Sequence, residues 1–217
     1  CIDVTEQQKV QLNLEEHLRE KEVVLNEIHH RISYNLNLVI DFIRLQMDRA
    51  TDVHVKQMLE VCRQRIAIMS LIHEKIYAAD NEAAMFDDYL RELISGISKS
   101  LQHDELQVNV TTELESFQLM YNSVLPCGLI INELMTNSWK HAFKGRNRGQ
   151  ITIKMKKEND VVVITYHDDG TGMEVAEVNT GIGIELIQSL TQQLKGMIMI
   201  KNQNGFMAEL RFKTEKL

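Results

Sequence analysis

The chain has 217 residues, of which 24 are basic and 31 acidic, so its formal net charge is −7 at pH 7. Hydrophobic residues make up 44% and charged residues 25%, which is typical of a globular protein and excludes a collagen-like or disordered chain. The acidic surplus argues against nucleic-acid binding, because a protein that binds phosphate backbones needs a clustered basic face.

No apolar run is long enough to span a membrane, and the charged first thirty residues lack a secretory signal. The three cysteines are scattered and show no CxxC spacing, which indicates a reducing compartment. We therefore expect a cytoplasmic protein with no membrane contact in this stretch, although an anchor upstream of Cys1 would not be seen.

The first eighty residues contain no glycine or proline, and their pattern predicts two long helices. The first runs from about Thr5 to Asp48 and the second from about Asp52 to Ala78, with Thr51 or Asp52 as the N-cap. Apolar residues in the first helix form one stripe: Leu14, Leu18, Leu25, Ile28, Ile32, Val39 and Phe42. A two-helix hairpin cannot bury such a stripe alone, so we expect it to dimerise into a four-helix bundle. The alternative is a generic coiled-coil linker.

Two adjacent histidines lie on the first helix. If Ile28 and Ile32 take the d and a positions of the heptad, His30 falls at the outermost position, f, and His29 at e. An exposed neutral imidazole can attack a phosphorus centre at physiological pH. Glu27, three residues before His30, is close enough to accept a hydrogen bond from one ring nitrogen and leave the other as the nucleophile. The alternative is an ordinary surface histidine.

The rest of the chain contains the glycines and the single proline, which is typical of a domain with both helices and strands. Strands grouped toward one end, with helices on one face, predict an α+β sandwich. The predicted elements are a helix over 85–101, a strand over 106–112, a helix over 122–143, strands over 150–156 and 161–166, a helix over 182–194 and a hairpin over 197–212.

One polar constellation lies on the predicted helix 122–143. Glu133, Asn137 and Lys140 follow at i, i+4 and i+7, so a regular α-helix places them on one face. A carboxylate, an amide oxygen and an ammonium group suit a base, a ligand for a hard cation and a phosphate contact. The alternative is a solvated helix face.

Two glycine motifs follow. Asp168 ends an apolar strand, and its carboxylate can accept a hydrogen bond from an exocyclic amine, while Gly170 and Gly172 let a ligand approach the backbone. Gly181 and Gly183 open the next helix, whose free N–H groups can bind phosphate. Each motif is weak alone, but the ordered set within about fifty residues is specific.

The ordered set resembles the sensor histidine kinases, in the HWE-related class with a type-two HisKA dimerisation domain. The phosphoacceptor signature of that family is similar to residues 27–36, its asparagine box to 132–142 and its glycine boxes to 168–172 and 181–183. The resemblance covers roughly residues 22–212. It implies a helical dimerisation and phosphotransfer domain followed by an ATP-binding domain of the GHKL type.

The resemblance also implies residue roles. His30, directly before Arg31, matches the phosphoacceptor, with His29 as its rival. Asn137 matches the Mg²⁺ ligand, and Glu133 the acidic position that serves as a base in related ATPases.

The remaining matched positions concern the nucleotide. Lys140 would face the ATP phosphates, His141 would be a further cofactor-binding residue, and Asp168 matches the aspartate that reads adenine. The glycines of the two boxes would shape the pocket and its short lid.

The implied partners are ATP, Mg²⁺, a second copy of the chain and the receiver domain of a response regulator. Asp3-Val4-Thr5-Glu6 resembles the exit of a PAS sensor domain. We therefore assign 1–12 to the end of an upstream sensor domain and linker, 13–80 to the dimerisation and phosphotransfer domain, and 83–217 to the catalytic ATP-binding domain.

Three positions, in two motifs, depart from the family pattern. Ser33 and Tyr34 replace a lysine and an asparagine after the phosphoacceptor, and Phe206 follows Gly205 where the family has threonine. These departures favour the alternative function, a degenerate nucleotide-binding dimer that signals by conformation. The paired histidines argue against a third option, a relative that hydrolyses ATP or phosphorylates serine.

Overall fold

The computed structural model describes residues 4–77, 83–102, 106–172, 182–202 and 204–214. The chain divides into two compact units, Cys1–Ala78 and Ala79–Leu217. Within the described residues, no helix is both long and apolar enough to cross a membrane. The elements are α1 (Val4–Arg49), α2 (Val53–Tyr77), β1 (Ala83–Met85), α3 (Phe86–Leu101), β2 (Gln107–Leu114), β3 (Gln118–Met120), α4 (Tyr121–Asn137), a π-helical turn (Ser138–Ala142), β4 (Arg148–Glu158), β5 (Val161–Asp168), α5 (Ile182–Gln193), β6 (Met197–Asn202) and β7 (Phe206–Lys213).

The first unit is the predicted helical hairpin. Its two helices pack against each other and are joined by residues 50–52. Asp52 caps the second helix, because its Oδ1 accepts a hydrogen bond from the backbone N–H of His54 at 2.7 Å. Of the two caps that the sequence allowed, the structure uses Asp52.

The contact between α1 and α2 uses a different stripe from the predicted one. The predicted stripe is exposed within a single hairpin, where Ile32 is 38% and Phe42 61% exposed. Buried Ile40 and Ile43 belong to the face of α1 that meets α2, and Ser33 of the same face contacts His73 of α2. The first helix therefore has two apolar stripes, and the hairpin covers only one of them.

The second unit is an α+β sandwich, as predicted. Its five-stranded sheet has the order β2-β4-β5-β7-β6, in which β2 and β4 are parallel and the other neighbours antiparallel. Along β4, Ile151, Ile153 and Met155 are buried, whereas Lys154 and Lys156 are exposed. This alternation leaves one sheet face apolar and covered by helices and gives the other face charged side chains.

Two features of the second unit differ from the predictions. Short strands β1 and β3 pair in a separate two-stranded sheet. Each has only three residues, which is too few for an alternating pattern to predict a strand. The helix predicted to reach Phe143 ends at Asn137 and continues as the π-helical turn. The α-helical spacing therefore does not extend to Lys140, whose side chain is exposed, whereas Glu133 is buried.

Candidate functional site

Asp168 is the centre of the candidate site. It ends β5 and is only 1% exposed. Its Oδ1 accepts hydrogen bonds from the backbone N–H groups of Gly170 at 3.0 Å and Phe206 at 3.3 Å. Its Oδ2 accepts from the Ser138 hydroxyl at 2.5 Å. These donors compensate for the burial of a carboxylate, which would otherwise be strongly unfavourable.

The same bonds leave one acceptor position on Asp168. A carboxylate offers about four lone-pair positions. Two on Oδ1 are taken by Gly170 and Phe206, and one on Oδ2 is taken by Ser138. The remaining lone pair on Oδ2 can accept one hydrogen bond from a ligand donor such as an amine.

Two glycines allow the backbone to close around Asp168. A Cβ added at Gly205, where φ is +124°, would lie 1.8 Å from the Asp168 carbonyl oxygen. A Cβ added at Gly170 would lie 2.4 Å from Cβ of Ala142 in the π-helical turn. Any larger residue would push these segments apart, so the glycines bring the N–H groups of Gly170 and Phe206 within reach of the carboxylate.

A second part of the site lies where α4 meets α5. Glu133 is buried on α4, and Asn137 at the end of that helix is half-buried. Gly183 lies in the first turn of α5, where an added Cβ would be 3.1 Å from Glu133 Oε2 and 3.8 Å from Asn137 Oδ1. The structure thus gathers three predicted residues beside the positive end of a helix. Gly181 lies outside the described residues.

The other predicted site residues of this unit lie around these two parts of the site. Lys140 and His141 are exposed on the π-helical turn. Gly172 has φ of +75° and lines a groove of about 500 Å³ beside residues 169–172. Arg146, which the sequence analysis missed, also lines this groove, and its Nη1 donates to the Asp169 carbonyl at 2.7 Å.

The two adjacent histidines of α1 have different surroundings. His30 is exposed, whereas His29 is half-buried and its Nδ1 lies 3.4 Å from Nε2 of His73 on α2. Nδ1 of His73 lies 3.2 Å from the Ser33 hydroxyl. Burial lowers the pKa of His29, with His30 adding to the effect. Burial and His29 lower the pKa of His73, so the environment of both rings favours the neutral form.

Glu27 has a different partner from the expected one. Its Oε1 accepts a hydrogen bond from Nε of Arg31 at 2.8 Å, one helical turn away, instead of one from His30. The guanidinium group is the stronger donor for a carboxylate, and the i, i+4 spacing favours the pair. Glu27 therefore lies beside His30 as part of an exposed ion pair.

Two family models together match most of the chain. Residues 27–101 match the family described as histidine kinase, and residues 123–216 match the histidine kinase-, DNA gyrase B- and HSP90-like ATPases. The chain is 25% identical over 187 residues to the sensor histidine kinase PdtaS of Mycolicibacterium smegmatis, covering 83% of this chain and 37% of that protein. It is 24% identical over 179 residues to blue-light-activated histidine kinase 2 of Erythrobacter litoralis, covering 78% of this chain and 51% of that protein.

A solved structure has the same fold. The histidine kinase domain of the Erythrobacter litoralis EL346 blue-light activated histidine kinase matches with a TM-score of 0.66 at 19% identity, covering 92% of this chain and 94% of that chain. Fold and site define a class in which a helical hairpin is followed by an ATPase-type sandwich. The chain belongs to the histidine kinases, as a transmitter region of the HWE-related class. It spans about half the length, or less, of these curated relatives.

Proposed function

We propose that the chain phosphorylates itself on His30 with ATP and passes the phosphoryl group to an aspartate in the receiver domain of a response regulator. The observation that carries this proposal is the contrast between the two histidines of α1. His30 is exposed, while His29 is engaged with His73. Of this adjacent pair, His30 is the one whose ring lies on the surface of the hairpin, where it can act as a nucleophile toward a visiting active site.

ATP fits the second unit in two places. The remaining lone pair of Asp168 Oδ2 suits the exocyclic amine of adenine, which is a donor. The positive end of α5, next to Gly183, suits the phosphates. Gly183 leaves room for this approach, since an added Cβ would lie 3.1 Å from Oε2 of the buried Glu133, which is closer than an ordinary contact.

Mg²⁺ fits the donor set at the same end of α4. Asn137 supplies an amide oxygen and Glu133 a carboxylate, and Mg²⁺ prefers such oxygens while taking its other ligands from phosphates and water. We assign Asn137 as the Mg²⁺ ligand and Glu133 as the base of the site. When bound, the ion neutralises charge on the phosphates. Lys140 and His141 are assigned to phosphate contacts from the π-helical turn.

The transfer consists of two displacements. A ring nitrogen of His30 attacks the γ-phosphorus, and the N–P bond forms as the bond to the β,γ-bridging oxygen breaks and ADP leaves. The proton on the other ring nitrogen passes to solvent, which an exposed side chain allows. The aspartate of the receiver domain then attacks the same phosphorus, a P–O bond forms, and the N–P bond breaks.

Ser33 and Phe206, two of the positions that depart from the family pattern, both make hydrogen bonds in the structure. The Ser33 hydroxyl lies 3.2 Å from the His73 ring, and the backbone N–H of Phe206 serves Asp168. The match of residues 27–101 to the histidine kinase family supports the kinase rather than the degenerate scaffold. Incubation with labelled ATP tests the choice, because an adduct that is labile in acid and stable in base indicates phosphohistidine. If ATP binds but no adduct forms, the scaffold is favoured.

We also propose a homodimer through the exposed stripe of α1, which a single hairpin leaves uncovered. Replacing Ile32 with glutamate puts an unpaired charge into that interface, which is strongly unfavourable. We expect a monomer at micromolar concentration in light scattering. The control is Asn37→Glu, since Asn37 is exposed on the same helix and outside the stripe. An Ile32→Glu protein that stays dimeric would point to another interface.

Asn137→Ala is expected to impair the metal-dependent step more than base recognition. Loss of an oxygen ligand misplaces the γ-phosphoryl group, and a ligand worth about 1.4 kcal/mol corresponds to about tenfold in rate. Autophosphorylation should fall at least that much, while ADP without metal binds as it does to the wild type. Full autophosphorylation by the variant would exclude Asn137 as the ligand.

A further inference from the structure

Three buried polar side chains form a hydrogen-bonded chain behind the candidate base-binding position. The Tyr166 hydroxyl donates to Ser138 Oγ at 2.7 Å, and the Ser138 hydroxyl donates to Asp168 Oδ2. Tyr166 is 0%, Ser138 3% and Asp168 1% exposed. Tyr166 and Asp168 are two residues apart on β5, so both side chains point toward the helix layer, where Ser138 begins the π-helical turn.

The direction of this chain follows from the chemistry of its members. Burial, with the charge of Asp168 adding to it, raises the pKa of Tyr166, so the phenol keeps its proton and donates it to Ser138. Ser138 has one proton and two acceptors in reach, the Leu134 carbonyl at 3.2 Å and Asp168 Oδ2 at 2.5 Å. The bond to the charged oxygen is the shorter and stronger one.

These bonds immobilise the carboxylate. Two backbone N–H groups hold Oδ1, and the Ser138 hydroxyl holds Oδ2, so the group cannot rotate without losing a bond in the interior. Because the carboxylate cannot rotate, the remaining lone pair on Oδ2 points in one fixed direction. Rigid placement of this kind is what a binding site needs in order to distinguish a donor from another group at the same point.

We propose that Ser138, itself held by Tyr166, is a positioning residue that aims Asp168 Oδ2 at an exocyclic amine and so determines the preference for an amine-bearing nucleobase. The inference rests on the proposed nucleotide function. It adds two residues to the site, neither of which contacts the nucleotide in our assignment. Asn137, the neighbour of Ser138, lies toward Gly183, so consecutive residues at the end of α4 serve the two parts of the site.

The test pairs a protein variant with a ligand variant on the intact chain. ATP is compared with purine riboside triphosphate, which has hydrogen in place of the amine, by calorimetric titration. Ser138→Ala is expected to weaken ATP binding about tenfold and to change binding of purine riboside triphosphate by less than about twofold. Ser138→Thr keeps the hydroxyl and should restore the preference for ATP.

Folding is controlled separately. Ser138→Ala leaves the Tyr166 hydroxyl unpaired in the interior, whereas the double variant Ser138→Ala/Tyr166→Phe removes both polar groups and should be close to the wild type in melting temperature. We expect the double variant to show the same amine-dependent loss. Equal weakening of both ligands, or unchanged ATP affinity in the double variant, would overturn the inference. A wild type that does not bind ATP, or binds both ligands equally, would instead overturn the proposed function.

Discussion

Replacing His30 with glutamine should abolish the phosphoryl adduct and leave ATP binding unchanged. The glutamine side chain is polar and of similar reach, but its amide nitrogen is not a nucleophile. The residues assigned to the nucleotide all lie in the second unit, so the substitution changes none of them. Incubation with labelled ATP measures the adduct, and calorimetry on the same sample measures nucleotide affinity.

His29→Gln is the matched control for this prediction. His29 lies 3.4 Å from His73 and is half-buried between the two helices. Its replacement should lower the adduct only in part, because the helices lose one contact next to the phosphoacceptor. Phosphopeptide mapping decides the assignment. A label on His29, or a fully active His30→Gln protein, would move the acceptor by one position.

Asp168→Asn should weaken ATP binding by about tenfold to a hundredfold, since a hydrogen bond to a charged group is worth about 1.5–3 kcal/mol. The amide nitrogen in place of Oδ2 would present a donor to the donor amine of adenine. The amide oxygen in place of Oδ1 still accepts from Gly170 and Phe206. Ser138 can turn its proton to the Leu134 carbonyl at 3.2 Å and accept from the new amide, so the fold should survive.

Asp160→Asn is the control for this substitution. It removes the same charge from the turn between β4 and β5, where Asp160 is exposed. Calorimetry should give wild-type ATP affinity for this variant, and both variants should melt cooperatively. Wild-type affinity in folded Asp168→Asn would contradict the assignment of Asp168 as the adenine-reading residue.

Most of the fold was predictable from periodicity. The strand predicted over 150–156 is the middle of β4, and the helix predicted over 182–194 is α5 with one residue added. Both predictions depend only on which residues alternate or recur along the chain. The π-helical turn and the pair of β1 and β3 have no such signal, because they are short and depend on neighbours from other segments.

Part of the site was also readable from sequence. Asp168, Glu133 and Asn137 are residue types with distinctive chemistry at distinctive spacing, and the structure places them at the end of β5 and along α4. Ser138 and Tyr166 carry no such signal. They are ordinary residues 28 positions apart, and their importance appears only once β5 lies against the end of α4.

The pattern of residues along the chain predicts two long helices, an α+β sandwich, and the chemistry of the ordered motifs. Local periodicity is enough for that, since it sets which face of each element is apolar. Tertiary packing determines that α2 covers Ile40 and Ile43 and leaves Ile32 exposed, and that His29 contacts His73 while His30 stays exposed. These outcomes depend on which distant segments pack together, and a pattern along one element cannot specify its partner.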